Sequence, residues 1–155
     1  FDEAILKERN AMEKSSTWYT CCTENYPNGF TFSPPAEHVW MGWYAAAKGF
    51  TGYLRWAYNS WPQNPIADSR FTAWPAGDTF QVYPGPMTSI RFEKLIEGIQ
   101  DFEKIHILLE EYKKSGNQAK SEELKRVLKT FDLKTLKEIP SEKIVDEAKS
   151  ILNKY

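Results

Sequence analysis

Residues 52–86, GYLRWAYNSWPQNPIADSRFTAWPAGDTFQVYPGP, decide the fold predicted for this chain. The segment begins as a short run of β-forming residues, from Tyr53 to Tyr58, and continues into a long loop that contains five prolines. A helical pattern follows the loop. Strand, polar and aromatic loop, and helix in this order form a βα unit, and the loop after the strand is a common place for a functional site.

The composition divides the chain into an aromatic part and a charged part. All six tryptophans lie between Trp18 and Trp74, whereas most of the charge follows Phe92. The 155 residues have a formal net charge of −1 and no run of Lys or Arg interleaved with aromatic residues, which argues against nucleic-acid binding. No apolar run approaches the roughly 20 residues of a membrane span.

A first βα unit precedes the quoted segment. Residues 17–23, TWYTCCT, are short and rich in β-forming residues, which predicts a strand buried on both faces. Residues 33–35, Ser-Pro-Pro, are a helix-start signal, and the helical pattern continues to Gly49. Residues just past a strand face the mouth of a βα barrel, so Tyr19 and Glu24 are candidate site residues, with ordinary loop roles as the alternative.

Polar and aromatic side chains emerge where the second strand, predicted over residues 52–59, ends. Asn59 and Trp61 present an amide and an indole together, which suits sugars, because sugar C–H faces stack on aromatic rings while hydroxyl and acetamido groups need fixed partners. Trp56 and Tyr58 are interpreted as either lining or core residues.

Two charged residues of this segment need partners. An unpaired buried charge is costly, so Arg55 is expected to meet a carboxylate on a neighbouring strand. Asp78 follows Gly77 in the loop and is expected either to contact a ligand or to organise the loop.

The remaining motifs predict structure rather than chemistry. Adjacent Cys21 and Cys22 would form a strained disulfide, so two reduced cysteines on opposite faces of a strand are expected. The two histidines have no metal-ligand spacing, and we predict no metal and no cofactor.

Helices are predicted at both ends of the chain. Residues 1–14 give a short amphipathic helix, and Thr88 or Ser89 begins a long one. From Ser115 the composition changes to Lys, Glu and Leu, which predicts an appended helical extension with solvated charges. The apolar stripe predicted for the long helix comprises Phe92, Leu95, Ile96, Ile99, Phe102, His106 and Leu109.

Five separated blocks occur in an order typical of one enzyme family: residues 18–22, 52–61, 74–79 with 82–85, 89–93 and 97–103. They resemble the glycoside hydrolase family 123-like catalytic domain of bacterial surface and secreted glycosidases. The resemblance covers about residues 1–109. It implies an α/β fold in which residues 1–114 are a C-terminal fragment of a (β/α)8 TIM-type barrel, about two βα units, and residues 115–155 are an α-helical extension.

The resemblance also implies an activity for the parent protein. Such enzymes release terminal β-linked N-acetylgalactosamine with retention, using the substrate's acetamido group as nucleophile, an aspartate that orients it and a neighbouring glutamate as acid and base. That Asp-Glu pair lies well upstream of the Trp-Tyr block in the family. We interpret Asp2 and Glu3 as first-turn residues of a helix, so this chain is expected to lack the catalytic pair and to be inactive alone.

The role implied for this chain is a substrate-binding wall. The expected partners are a glycan that contains N-acetylhexosamine and either the remainder of the barrel or further copies of the chain. The implied location is the periplasm, the cell surface or the medium. A non-catalytic carbohydrate-binding or scaffold module is the alternative, and a helical protein-interaction domain is a third reading. The candidate wall residues are Asn59, Trp61, Trp56, Tyr58, Tyr19, Glu24 and Asp78.

Overall fold

The computed structural model describes residues 1–85 and 87–155; Pro86, the last residue of the quoted segment, lies outside the described residues. The described chain is helix-rich, with one small sheet of two parallel strands. None of its helices is both long and apolar enough to cross a membrane. The elements in order are α1 (Glu3–Ala11), β1 (Thr17–Tyr19), α2 (Ala36–Lys48), β2 (Gly52–Leu54), α3 (Ile90–Ser115), α4 (Gln118–Leu128), α5 (Leu133–Glu138) and α6 (Ser141–Leu152).

The two strands form the predicted parallel pair, connected through α2. Trp18 of β1 lies opposite Tyr53 of β2. Both strands are shorter than predicted, because β1 ends at Tyr19 and β2 at Leu54. The prediction of a first strand buried on both faces is wrong. Only the Trp18 side is covered, through packing on Tyr44 of α2 at 4.8 Å between ring centroids, whereas Thr17 and Tyr19 are exposed.

The two cysteines lie beyond β1 rather than within it. Cys21 and Cys22 occupy the turn after the strand, and both are half-buried free thiols. The predicted reduced state agrees with the structure, but the predicted placement on opposite faces of a strand does not, because the strand has already ended.

The hydrophobic core is continuous from α1 to α6. Trp40 and Trp43 of α2 are fully buried at its centre, and Phe131 stacks on Trp43 at 4.8 Å. The division of the chain after residue 114 remains a prediction, but residues on both sides of it share this core. The contributors beyond residue 115 include Leu124, Leu128, Leu136, Ile144, Val145, Ala148 and Leu152.

A partly buried ion network ties the C-terminal helix α6 to α3. Lys149 donates to Glu97 at 2.7 Å and to Asp101 at 3.1 Å, and Trp43 donates its indole N–H to the same Asp101 carboxylate at 2.8 Å. Burial works against the charge of Lys149, but hydrogen bonds to the two carboxylates raise the pKa of its ammonium group. Charged hydrogen bonds therefore hold α6 in place together with its apolar packing.

The long helix α3 begins at the predicted cap but buries a different face. Ser89 accepts a hydrogen bond from the Phe92 N–H at 3.1 Å, as an N-cap residue does. The predicted apolar stripe is confirmed only in part: Phe102 and Leu109 pack against the core, whereas Ile99 and His106 are exposed. The residues that are buried are Arg91, Gly98, Asp101, Ile105, Leu108 and Tyr112.

Two facing glycines explain which side of α3 is buried. A Cβ atom at Gly42 of α2 would lie 2.2 Å from the carbonyl oxygen of Gly98. A Cβ atom at Gly98 would lie 2.8 Å from the carbonyl oxygen of His38 and 3.0 Å from Cα of Val39. The backbones of α2 and α3 approach so closely that only glycine fits, and this contact rotates α3 away from its apolar stripe.

We predict that Gly98→Ala destabilises the protein by about 3 kcal/mol or more, since the added methyl group meets backbone atoms that no side-chain rotation can move. Urea unfolding followed by circular dichroism measures the change. Gly52→Ala is the matched control, because its Cβ atom would lie 3.7 Å from a Thr17 methyl carbon, an ordinary contact, and a change within about 1 kcal/mol is expected. Equal stabilities for the two variants would contradict the close helix contact.

Candidate functional site

A buried ion pair lies just beyond the end of β2. The Nη2 atom of Arg55 is 2.6 Å from Oδ1 of Asp78, with the two side chains 8% and 0% exposed. The same nitrogen donates to the Asp78 carbonyl oxygen at 3.2 Å. Arg55 was predicted to meet a carboxylate on a neighbouring strand. It meets one in the long loop instead, because β2 has ended and the loop folds back over the strand end.

The other side of the Arg55 guanidinium is held by two residues that follow β1 and by Tyr53 of β2. Its Nη1 atom donates to Oδ1 of Asn28 at 2.8 Å and lies 3.3 Å from the hydroxyls of Thr20 and Tyr53. Those two hydroxyls are 2.6 Å apart. Arg55 therefore joins β2, the turn after β1 and the long loop.

Asp78 also anchors an aromatic side chain. Its second oxygen, Oδ2, accepts a hydrogen bond from the indole N–H of Trp56 at 3.1 Å. Both carboxylate oxygens are engaged and the side chain is fully buried, so of its two predicted roles the structure favours organisation of the loop over direct ligand contact.

Two exposed tryptophans lie together above this ion pair. Trp56 is 44% exposed and Trp74 is 41% exposed, with ring centroids 5.6 Å apart and ring planes inclined by 56°. Trp74 belongs to a quoted sequence block, but no site role was predicted for it. Nothing in the sequence spacing shows that a loop residue 18 positions away returns to Trp56.

The first two predicted wall residues lie further along the loop, on the surface. Asn59 is exposed and forms an isolated antiparallel bridge with Phe80. The Trp61 indole donates to the Val82 carbonyl oxygen at 2.7 Å and leaves about a third of the residue exposed. The cavities of about 240 to 540 Å³ found among residues 1–85 and 87–155 include five that other residues line.

The other predicted wall residues are accessible. Tyr58 is exposed and packs edge-on against Phe92, with 5.7 Å between ring centroids. Tyr19 is exposed at the end of β1, where burial of its hydroxyl and the neighbouring Cys21 thiol raise its pKa. Glu24 accepts the Cys21 N–H at 2.8 Å. Partial burial opposes the charge of Glu24, but this and other hydrogen bonds lower its pKa, so its carboxylate stabilises the turn.

A second arginine supports the loop from beneath. Arg91 is buried and donates from Nη1 to the carbonyl oxygens of Gly29 and Gly77 at 2.7 and 2.8 Å. Gly77 has φ +81°, and a Cβ atom there would lie 2.7 Å from Arg91 Nη1, so glycine is required where the loop crosses. His38, predicted as a packed or surface residue, is buried nearby; burial and then the charge of Arg91 lower its pKa to about 4.

In the part of the chain that the structure describes, no group of three or more His, Cys, Asp or Glu side chains is placed to hold a metal ion.

Residues 1–108 match the family described as "Glycoside hydrolase 123, catalytic domain". The chain belongs to glycoside hydrolase family 123. The strand ends, the Arg55–Asp78 pair and the two-tryptophan surface all lie within the matched residues.

A solved structure shows how much of such a protein is present. A family 123 glycoside hydrolase from Clostridium perfringens, studied for glycolipid glycan hydrolysis, matches with a TM-score of 0.78 and 25% sequence identity. The match covers 97% of this chain and 28% of that one, so this family 123 chain spans little more than a quarter of the solved protein. No curated protein matches the sequence.

A buried carboxyl group links the site of this family 123 chain to α2. Glu37, in the first turn of α2, accepts the backbone N–H of Asn28 at 2.7 Å, and Asn28 in turn holds Arg55. Burial raises the pKa of Glu37 to about 7; the Asn28 N–H acts in the opposite direction, and the charge of Glu142 adds to the rise.

We predict that Glu37 makes stability depend on pH. Its pKa is about 7 in the folded protein and near its ordinary 4.5 in the unfolded chain, so the folded state binds more protons between these values. The contribution of Glu37 to stability is therefore fully present below pH 4.5 and is lost as pH rises through 7, by on the order of 3 kcal/mol at most.

Glu37→Gln removes this dependence. Urea unfolding of both proteins between pH 4 and 8 should show the wild type losing stability relative to the variant as pH rises. Glu3→Gln is the control, because Glu3 is also a first-turn acid but is exposed. A wild type–variant difference that stays constant across this range would contradict the burial of an ionisable Glu37.

Proposed function

We propose that this chain forms part of the substrate-binding wall of a retaining, substrate-assisted β-N-acetylgalactosaminidase-type glycosidase. The observation that carries the proposal is the exposed aromatic surface, including Tyr19, Trp56 and Tyr58, at the carboxyl end of two parallel strands in a family 123 chain. Ligands of parallel α/β folds bind at this end of the strands.

The wall recognises the sugar by stacking and by hydrogen bonds. Trp56, Tyr58, Trp61 and Tyr19 offer aromatic faces to the apolar C–H face of the ring, and Asn59 offers an amide to a hydroxyl or acetamido group. Glu24 borders the same end of the sheet, and Asp78 acts from beneath through the residues that it holds. Holding the acetamido group near the anomeric carbon is what a substrate-assisted mechanism asks of such a wall.

The catalytic Asp-Glu pair is proposed to lie in another part of the parent protein. The two adjacent Asp-Glu pairs of this chain both lie at helices. Asp2 caps α1 by accepting the N–H groups of Ala4 and Ile5 at 2.8 and 3.1 Å. Asp146 and Glu147 are exposed on α6. Neither pair follows a strand.

We further propose that the two βα units belong to a (β/α)8 barrel. The sheet has only two strands, so each strand has an edge that no described strand pairs, and Leu54 of β2 is exposed. A mainly apolar cavity of about 240 Å³ lies between β2 and α3, lined partly by Tyr53, Leu95, Ile99 and Phe102. Further barrel strands and helices, or a second copy of the chain, would cover these surfaces. Like the family's secreted enzymes, the parent protein is proposed to act in the periplasm, at the cell surface or in the medium.

A non-catalytic carbohydrate-binding module is the second candidate. Both Asp-Glu pairs of the chain lie at helices, and this favours a module that binds sugar without hydrolysing it. The two candidates share the sugar-binding surface and differ in whether the parent protein contains a strand-end Asp-Glu pair.

We predict that this chain binds N-acetylgalactosamine without hydrolysing its glycosides. Incubation with 4-nitrophenyl β-N-acetylgalactosaminide should release no more nitrophenol than buffer. A titration followed by tryptophan fluorescence should show saturable binding of N-acetylgalactosamine and weaker binding of galactose, which lacks the acetamido group. Turnover would refute the absence of the catalytic pair, and a flat titration would refute the wall.

A further inference from the structure

The buried carboxylate of Asp78 makes two charge-assisted contacts in opposite directions. Oδ1 meets Arg55 at 2.6 Å and Oδ2 meets the Trp56 indole N–H at 3.1 Å. An ionised acid with no exposure needs such partners, because removal of either one leaves charge or hydrogen-bonding capacity unsatisfied in the interior. Arg55 therefore fixes the position of the Asp78 carboxylate, and the carboxylate in turn fixes the position of the Trp56 indole.

The arginine itself has little freedom. Asn28, Thr20 and Tyr53 surround its Nη1 atom, so contacts outside the loop also orient the guanidinium. A series of contacts thus connects the sheet, through Arg55 and Asp78, to the indole nitrogen of Trp56.

The surface at the end of these contacts is aromatic and is held on one side by a hydrogen bond. The Trp56 indole N–H is held by Asp78 while 44% of the residue remains exposed, and the Trp74 ring centroid lies 5.6 Å from that of Trp56. A ring that is held before binding loses little conformational freedom when a ligand stacks on it, which strengthens binding.

We propose that Asp78 is a positioning residue that, through Trp56, holds a two-tryptophan platform of Trp56 and Trp74 on which the apolar face of the sugar ring stacks. This inference rests on the proposed function. It assigns a sugar-binding role to Trp74. In this inference Asp78 does not contact the sugar but orients Trp56.

The indole N–H signals in ¹⁵N–¹H correlation spectra test the proposal, with Trp56→Phe and Trp74→Phe assigning two of the six signals. Asp78→Asn should shift the Trp56 signal without sugar present, because an amide oxygen accepts more weakly than a carboxylate. Titration of the wild type with N-acetylgalactosamine should move both assigned signals, those of Trp56 and Trp74.

Affinity completes the test. Trp74→Ala and Asp78→Asn should each weaken N-acetylgalactosamine binding by about tenfold, a change of about 1.4 kcal/mol. Asp68→Asn is the matched control, because Asp68 lies in the same loop and pairs with Arg70 on the exposed surface. It should change neither the Trp56 signal nor the affinity. If Asp78→Asn fails to fold, Trp56→Phe, which keeps an aromatic ring but removes the N–H, should still weaken binding.

The outcomes separate this inference from the proposed function. Sugar binding that moves neither the Trp56 nor the Trp74 signal overturns the platform alone. An unchanged Trp56 signal in folded Asp78→Asn overturns the positioning role. Absence of sugar binding by the wild type overturns the wall and the platform together.

Discussion

The loop side of the molecule depends on one buried ion pair. Arg55 and Asp78 neutralise each other in a region where neither is more than 8% exposed, and 22 residues of chain separate them. Removal of one member of a buried pair typically costs about 3–5 kcal/mol, because the other charge is left without compensation. The pair therefore determines where a long loop with little regular structure lies over the strand ends.

The helix α2 connects this pair to the hydrophobic core. Its first turn carries Glu37, which holds Asn28 beside Arg55, and His38, whose carbonyl oxygen faces Gly98 of α3. The site and the closest helix contact thus share one turn of helix. An error in α2–α3 packing would displace Asn28 and, through it, the guanidinium that orients Asp78.

Much of the architecture was predictable because it follows from local rules. Ser89 begins α3, Gly49 ends α2 with φ +78°, and the two strands pair in parallel through a helix. The family was recognisable from sequence motifs that occur in the expected order, and the match of residues 1–108 to the family confirms it. These features depend on residues close in sequence or on whole blocks of sequence.

The wrong predictions depend on contacts between distant residues. Periodicity counts apolar residues, so it selected the stripe of Ile99 rather than the face of Gly98, whose role appears only when Gly42 approaches it. The alternation of side chains along the sequence predicted a β2 that is too long, because it does not show that Arg55 turns towards a carboxylate in the loop. The position of Trp74 at the site was missed for the same reason, because only the folded loop brings Trp74 next to Trp56.

Hydrogen exchange in Arg55→Met tests the central role of the ion pair most directly. The N–H groups of Ser60 and Gln81 donate across the loop to Thr79 and Tyr58 at 3.0 and 2.8 Å, so their protection reports the loop's position. We expect protection of these two amides to fall by at least about tenfold, while amides in the middle of α2 and α3 keep theirs. Unchanged protection in the loop, or an equal loss throughout the molecule, would contradict the account.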